Sequence, residues 1–129
     1  MIHEVDEALR RLIREEAARG GDLEVVFDAP TKEWASRRNA PTINAFLYDL
    51  REDTRRRTGN RIEEHVEGRL VARRRPPRYF KLSYLLSAWT TRTEDERRLL
   101  STLLSTLLRH DVMPPRLLAG RIAELGLEV

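Results

Sequence analysis

Hydrolytic, acid–base or metal chemistry in this chain would have to come from its histidines, serines and carboxylates, and the sequence scatters all three. His3, His65 and His110 fall at the N-terminus, in a polar hairpin and at a helix end, and they make no metal-ligand pair. His110 reads as a cation closing a helix, where positive charge meets the negative end of the dipole. Ser36, Ser83, Ser87, Ser101 and Ser105 are the candidate nucleophiles, and none occupies a Gly-x-Ser-x-Gly elbow. Glu15-Glu16, Glu52-Asp53 and Glu63-Glu64 are sequence neighbours that face apart on regular elements. The six glycines form neither a dinucleotide fingerprint nor a phosphate loop, and the absence of cysteine removes thiol catalysis and thiolate metal sites. No catalytic, cofactor or metal site is expected, and the chain is read as a non-enzyme.

Arginine is the residue type that is concentrated. The chain has 22 arginines and two lysines, Lys32 and Lys81, within 129 residues and a net charge of +3. Between Arg51 and Arg78, ten arginines face five acids, so this stretch carries +5 and the rest of the chain −2. Arg55, Arg56, Arg57, Arg73, Arg74, Arg75 and Arg78 are the candidate contact residues. Arginine forks suit protein interfaces and phosphates alike. Glu52, Asp53, Glu63, Glu64 and Glu67 interrupt the run, which weakens it as a phosphate track, so a protein interface is favoured and a basic nucleic-acid-binding module is the alternative.

The elements that would position these residues follow from periodicity. Ile2, Val5, Leu9, Leu12 and Ile13 predict an amphipathic helix to about Ala18, ended by Gly20-Gly21. Leu23–Phe27 reads as a strand. Thr31–Arg38 reads as one or two helical turns or a loop, closed by Asn39-Ala40-Pro41. Thr42–Leu50 is apolar on both faces and predicts a strand in the middle of a covered sheet. Arg61–Val66 and Leu70–Arg74 predict a polar hairpin joined at the turn signal Glu67-Gly68-Arg69. Arg78–Thr91 is the strongest strand, with Phe80, Leu82, Tyr84, Leu86 and Ala88 on its core face. Thr93 and Glu96 form a capping box for a helix to about His110, whose Leu99, Leu100, Leu103, Leu104, Leu107 and Leu108 make one wide apolar stripe. A short last helix is expected over Leu117–Leu125. The sum is an α+β, sandwich-like domain over residues 1–129, with a mixed, mainly antiparallel sheet, two long helices on one face and an exposed Arg-rich hairpin excursion at about 51–78. No apolar run reaches the length of a membrane span, and the N-terminus lacks a signal peptide's basic and apolar regions, so the expected location is cytoplasmic, away from membranes.

Two stretches carry a resemblance. The first is Phe27-Asp28-Ala29-Pro30-Thr31-Lys32-Glu33-Trp34, continuing through Arg38-Asn39-Ala40-Pro41-Thr42 to Phe46-Leu47-Tyr48-Asp49-Leu50-Arg51-Glu52-Asp53. The second is Arg75-Pro76-Pro77-Arg78-Tyr79-Phe80-Lys81-Leu82-Ser83-Tyr84, then Ala88-Trp89-Thr90, Glu94-Asp95-Glu96 and Leu108-Arg109-His110-Asp111. Together they resemble the N-terminal domain of the cap, or tail-terminator, proteins of extracellular contractile injection systems of the antifeeding-prophage type. The resemblance implies a phage tail-terminator-like fold and a homohexameric ring that ends the inner tube and anchors the outermost sheath ring. Its implied partners are the sheath and inner tube proteins of a phage tail-like particle that is released or stays in the producing cell. The family offers no catalytic residues to carry over. Trp34, in a loop between two strands, has two readings: a core plug, or an interface anchor beside the arginines.

Overall fold

The computed structural model describes residues 1–18, 21–56, 62–74 and 76–129. The opening amphipathic segment is helix α1 (Ile2–Leu12), which continues as a π-helical turn over Ile13–Ala17. Ala8, Leu9, Leu12 and Ile13 form its buried side, as the spacing of the apolar residues requires. The C-terminal segment closes over this helix: Leu117, in a 3-10 turn (Pro115–Leu117), packs with Ala8 and Leu12, flanked by Leu107, Met113 and Leu118. Of the expected Gly20-Gly21 stop, Gly20 lies outside the described residues.

Strand β1 (Glu24–Val26) runs parallel to β2 (Thr42–Glu52), with Val25 opposite Ile43, and the connection between them holds the short helix α2 (Lys32–Ser36). Thr31 caps α2 by accepting the Trp34 amide at 3.2 Å. The third strand, β5 (Phe80–Trp89), gives the sheet the order β1-β2-β5. The Asp53 amide donates to the Tyr79 carbonyl, and Glu52 meets Arg78 while Asp49 meets Ser83, so β5 runs antiparallel to β2. The central position expected for β2 is observed, but its two-sided cover holds only for Thr42–Ala45, all buried. Buried Asn44 donates to the Asp28 carbonyl at 3.0 Å, which offsets part of its desolvation. Further along the strand, Tyr48 is 61% exposed and Leu50 is exposed as well.

The expected core face of β5 is corrected in the same way. Phe80 is 54% exposed, and no residue of the strand is fully buried. Alternation placed these residues on one face correctly; it carries no information on whether anything covers that face.

The polar hairpin consists of β3 (Ile62–Val66) and β4 (Arg69–Arg74), antiparallel, with Val66 opposite Arg69 and a bulge between Glu64 and His65. Its turn is two residues and not the expected three, since Arg69 already pairs with Val66; Glu67 at φ 52° and Gly68 at φ 75° are the pair of positive angles that matches the twist of a tight hairpin. Helix α3 (Thr93–Leu107) starts one residue earlier than a Thr93 cap would have it, with Arg92 at the N-cap. Glu96 does reach back, but to the Thr90 amide at 3.2 Å, and the Thr90 hydroxyl supports the entry by accepting from the Arg92 amide. The terminal helix is α4 (Gly120–Glu124), whose first turn is capped from α1, because Glu4 Oε1 accepts the Arg121 amide at 3.0 Å. No helix among the described residues is long and apolar enough to cross a membrane.

Contacts divide the chain into two compact units, Met1–Phe46 with Leu85–Val129, and Leu47–Tyr84. Strands β2 and β5 contribute residues to both.

Candidate protein interface

In the Leu47–Tyr84 unit, the end of the β2–β5 ribbon brings two of the expected arginines, Arg56 and Arg78, onto two exposed aromatics. Arg78 donates from Nε and Nη2 to the two oxygens of Glu52 at 3.0 and 2.6 Å, a bidentate fork. Those bonds push the Arg78 pKa above its ordinary value, keeping the guanidinium charged. Its carbon centre lies 5.8 Å from the Phe80 ring centroid, and that of Arg56 lies 5.7 Å from Tyr79. Arg56 belongs to a 3-10 turn (Thr54–Arg56) tied down by Asp53, whose carboxylate accepts the Arg55 amide at 3.1 Å. Arg55 and Arg56 are exposed. Arg73 and Arg74 sit on β4 at the register positions opposite Glu63 and Ile62. Arg57 and Arg75 lie outside the described residues.

Trp34 belongs to the other unit and is half-buried. Its ring meets Trp89 edge to face, at 5.2 Å between centroids and 81° between planes, and its Nε1 donates to Asp28 at 2.9 Å. Arg38 stacks on the indole at 4.7 Å and pairs with Glu24 at 3.3 Å. Beside this stack lies an open cavity of about 530 Å³, bounded by Arg38, Pro41, Trp89, Asp95, Arg98 and Leu99. Sequence reasoning singled out Trp34 but missed Trp89 and Arg38, its partners. A second tryptophan at the end of an adjacent strand was the available signal.

A second cluster ties α3 to the π turn. His110 Nε2 lies 3.0 Å from both oxygens of Glu16, Arg109 reaches the same carboxylate at 3.1 Å, and Arg116 bonds Glu15 and Glu16. The His110 bond, followed by Arg109, lowers the Glu16 pKa below the usual carboxylate value. His110 stands three residues beyond α3, which ends at Leu107 rather than at the expected His110, and its ring shares the Glu16 carboxylate with Arg109. Among the described residues no group of three or more histidines, cysteines or carboxylates is arranged to hold a metal ion. The clusters present can fix surfaces and accept a partner's charge.

The residue pattern and the fold have counterparts. No curated protein shows significant similarity to the chain. A solved structure, the sheath/tube terminator of an extracellular contractile injection system, PVC, in its extended state, is similar to it with a TM-score of 0.63 and 23% identity. The similarity covers 98% of this chain and 48% of that one, so the present chain spans about half the length of the solved protein. Residues 4–129 match the family described as the Pvc16 N-terminal domain. A match over nearly the whole length, to the family whose motifs the Phe27–Asp53 and Arg75–Asp111 stretches resemble, places this chain in the Pvc16 N-terminal domain family.

Proposed function

We propose that the chain is a structural, non-enzymatic component of a contractile injection particle, forming part of the terminator that ends the inner tube and holds the distal sheath. The observation that carries this reading is the family match over residues 4–129; the solved terminator supports it through the shared fold. In this reading the chain assembles as a homohexameric ring within the producing cell, and the particle it completes is released or retained. The exposed Arg55, Arg56 and Arg78 region, the β4 arginines Arg73 and Arg74, the adjoining Arg57 and Arg75, and the Trp34 stack contact neighbouring copies, sheath or tube. The geometry argues against the nucleic-acid alternative: Arg78 is consumed by Glu52, Arg51 lies 2.7 Å from Asp49, and Arg56 is within 4.0 Å of Asp53. A phosphate backbone would have to displace those carboxylates.

Light scattering on the purified protein, alone and with sheath and tube subunits, tests the proposal. A mass six times the 15.1 kDa subunit, formed alone or on addition of those subunits, is expected. Charge reversal at Arg73, Arg74 and Arg75 is expected to abolish capping while leaving the fold intact. A chain that ignores both subunits and binds DNA with a steep salt dependence would refute the reading.

A further inference from the structure

Among the described residues, two apolar surfaces with ordered spacing are left exposed, one in each unit. Leu100 and Leu104 on α3 and Leu108 at its C-cap, still in helical conformation, recur every fourth residue and form a ridge. All three are exposed, Leu104 to 58% and Leu108 to 74%. The adjoining Ser101 and Ser105 donate their hydroxyls to the carbonyls of Arg97 and Ser101 at 2.8 and 2.9 Å, so covering them would strand no hydroxyl donor. In the Leu47–Tyr84 unit, Tyr48 and Leu50 share a face of β2 with Glu52, and Phe80 and Leu82 share a face of β5 with Arg78. The Glu52–Arg78 fork puts both sets on the same side of the ribbon. Tyr48, Leu50 and Phe80 are exposed there.

We infer that these surfaces pack against each other between copies, the α3 ridge of one copy lying on the β2–β5 ribbon of the next. This rests on the ring-forming terminator reading and names its subunit contact. Three observations favour a second copy as the occupant. The surfaces are of complementary type, since a helix ridge packs on a sheet face. They match in length: Leu100 to Leu108 rises about 12 Å along a helix, and Phe80 to Tyr84 spans about 13 Å of strand. Their units also differ in charge, with eleven basic against six acidic residues giving +5 in the Leu47–Tyr84 unit and −2 left for the other. A contact between two different surfaces of one chain is heterologous, the kind that closes rings.

The test uses Leu104→Arg and Tyr48→Arg, both exposed positions, with circular dichroism verifying the fold and Leu108→Arg and Leu50→Arg as second variants. Arginine in both keeps the two damaged faces from pairing with each other. Sedimentation or light scattering should show the wild-type mass rising above one subunit with concentration, and each variant alone falling to one subunit. An equimolar mixture should recover a heterodimer and nothing larger, because it contains one intact ridge and one intact ribbon. The inference is overturned if the wild type stays monomeric both alone and with tube and sheath subunits, if either variant keeps the wild-type mass under the conditions in which the wild type assembles, or if the mixture stays monomeric there. Loss of sheath binding at unchanged mass would also overturn it, giving the ridge to the sheath. Adding tube and sheath subunits separates the two readings. A wild type that caps while the variants assemble unchanged refutes the surface assignment alone. Failure of the wild type to bind either subunit refutes the terminator reading alone.

Discussion

Helix α3 presents leucines in two rows, and truncating one from each row measures which row the fold uses. Leu103 is 1% exposed, so Leu103→Ala removes three carbon groups from a site walled on every side. The lost transfer free energy is about 2.4 kcal/mol at about 0.8 kcal/mol per group. If about 40 Å³ of the space stays open, the cavity adds about 1 kcal/mol at about 24 cal/mol per Å³. The expected cost is therefore about 3–3.5 kcal/mol, a fall of about 1.5–2 M in the urea midpoint for a slope near 2 kcal/mol/M. Leu104→Ala, next in sequence but facing solvent, should cost less than about 0.5 kcal/mol. Urea titrations at a protein concentration low enough to keep the chain monomeric provide the comparison, since association would add stability of its own. Equal costs at the two positions would mean that α3 buries both rows, and the reasoning about its exposed ridge would fail with it.

Three other expectations can be checked by thermal or urea denaturation. Gly120 has φ 62°, and a Cβ there would lie 2.1 Å from the Glu4 carboxylate that caps α4, so Gly120→Ala should cost about 2 kcal/mol or more; Gly126→Ala, at φ 60° with nothing within 4 Å, should cost only about 1 kcal/mol of strain. Trp34→Ala should cost about 2 kcal/mol through the lost Trp89 contact and half-buried ring, whereas Trp34→Phe should lose about 1 kcal/mol with the Asp28 bond; a normal melting point with lost assembly in Trp34→Ala would make Trp34 an interface anchor instead. Glu16 and Glu4 have lowered folded-state pKa values, through the bonds from His110 and from the Arg121 amide, so their stabilisation is complete above the unfolded value of 4.5 and is lost as pH falls through the lower folded values. Glu16→Gln should therefore melt lower than the wild type at pH 7 and converge with it in strong acid, and a constant difference across that range would contradict the assignment.

The two long helices, the strands and their order were legible in the sequence, because apolar spacing and turn residues are local properties; the π turn after α1 and the helical form of Lys32–Ser36 were not. The i, i+3, i+4 pattern of Ile2–Ile13, the β-branched run around Val25–Val26 and the Glu67-Gly68 turn each determine their own backbone. Coverage was not legible, because it depends on which other element arrives. Periodicity gave β5 a continuous apolar face and α3 a stripe of six leucines, yet only Leu103 in that stripe is fully buried, with Leu99 and Leu107 partly so. The same limit hid the candidate site. The arginine cluster was visible as composition, but the carboxylates that hold Arg78 and Arg56 were read as interruptions of a basic surface, when they fix its geometry. The α3 stripe did contain a usable signal. Six leucines in two adjacent i, i+4 rows are wider than the single row one packed neighbour covers. A helix with more apolar width than its own fold buries leaves the remainder for a partner, and in the assembly proposed above the surface of matching length belongs to the next copy.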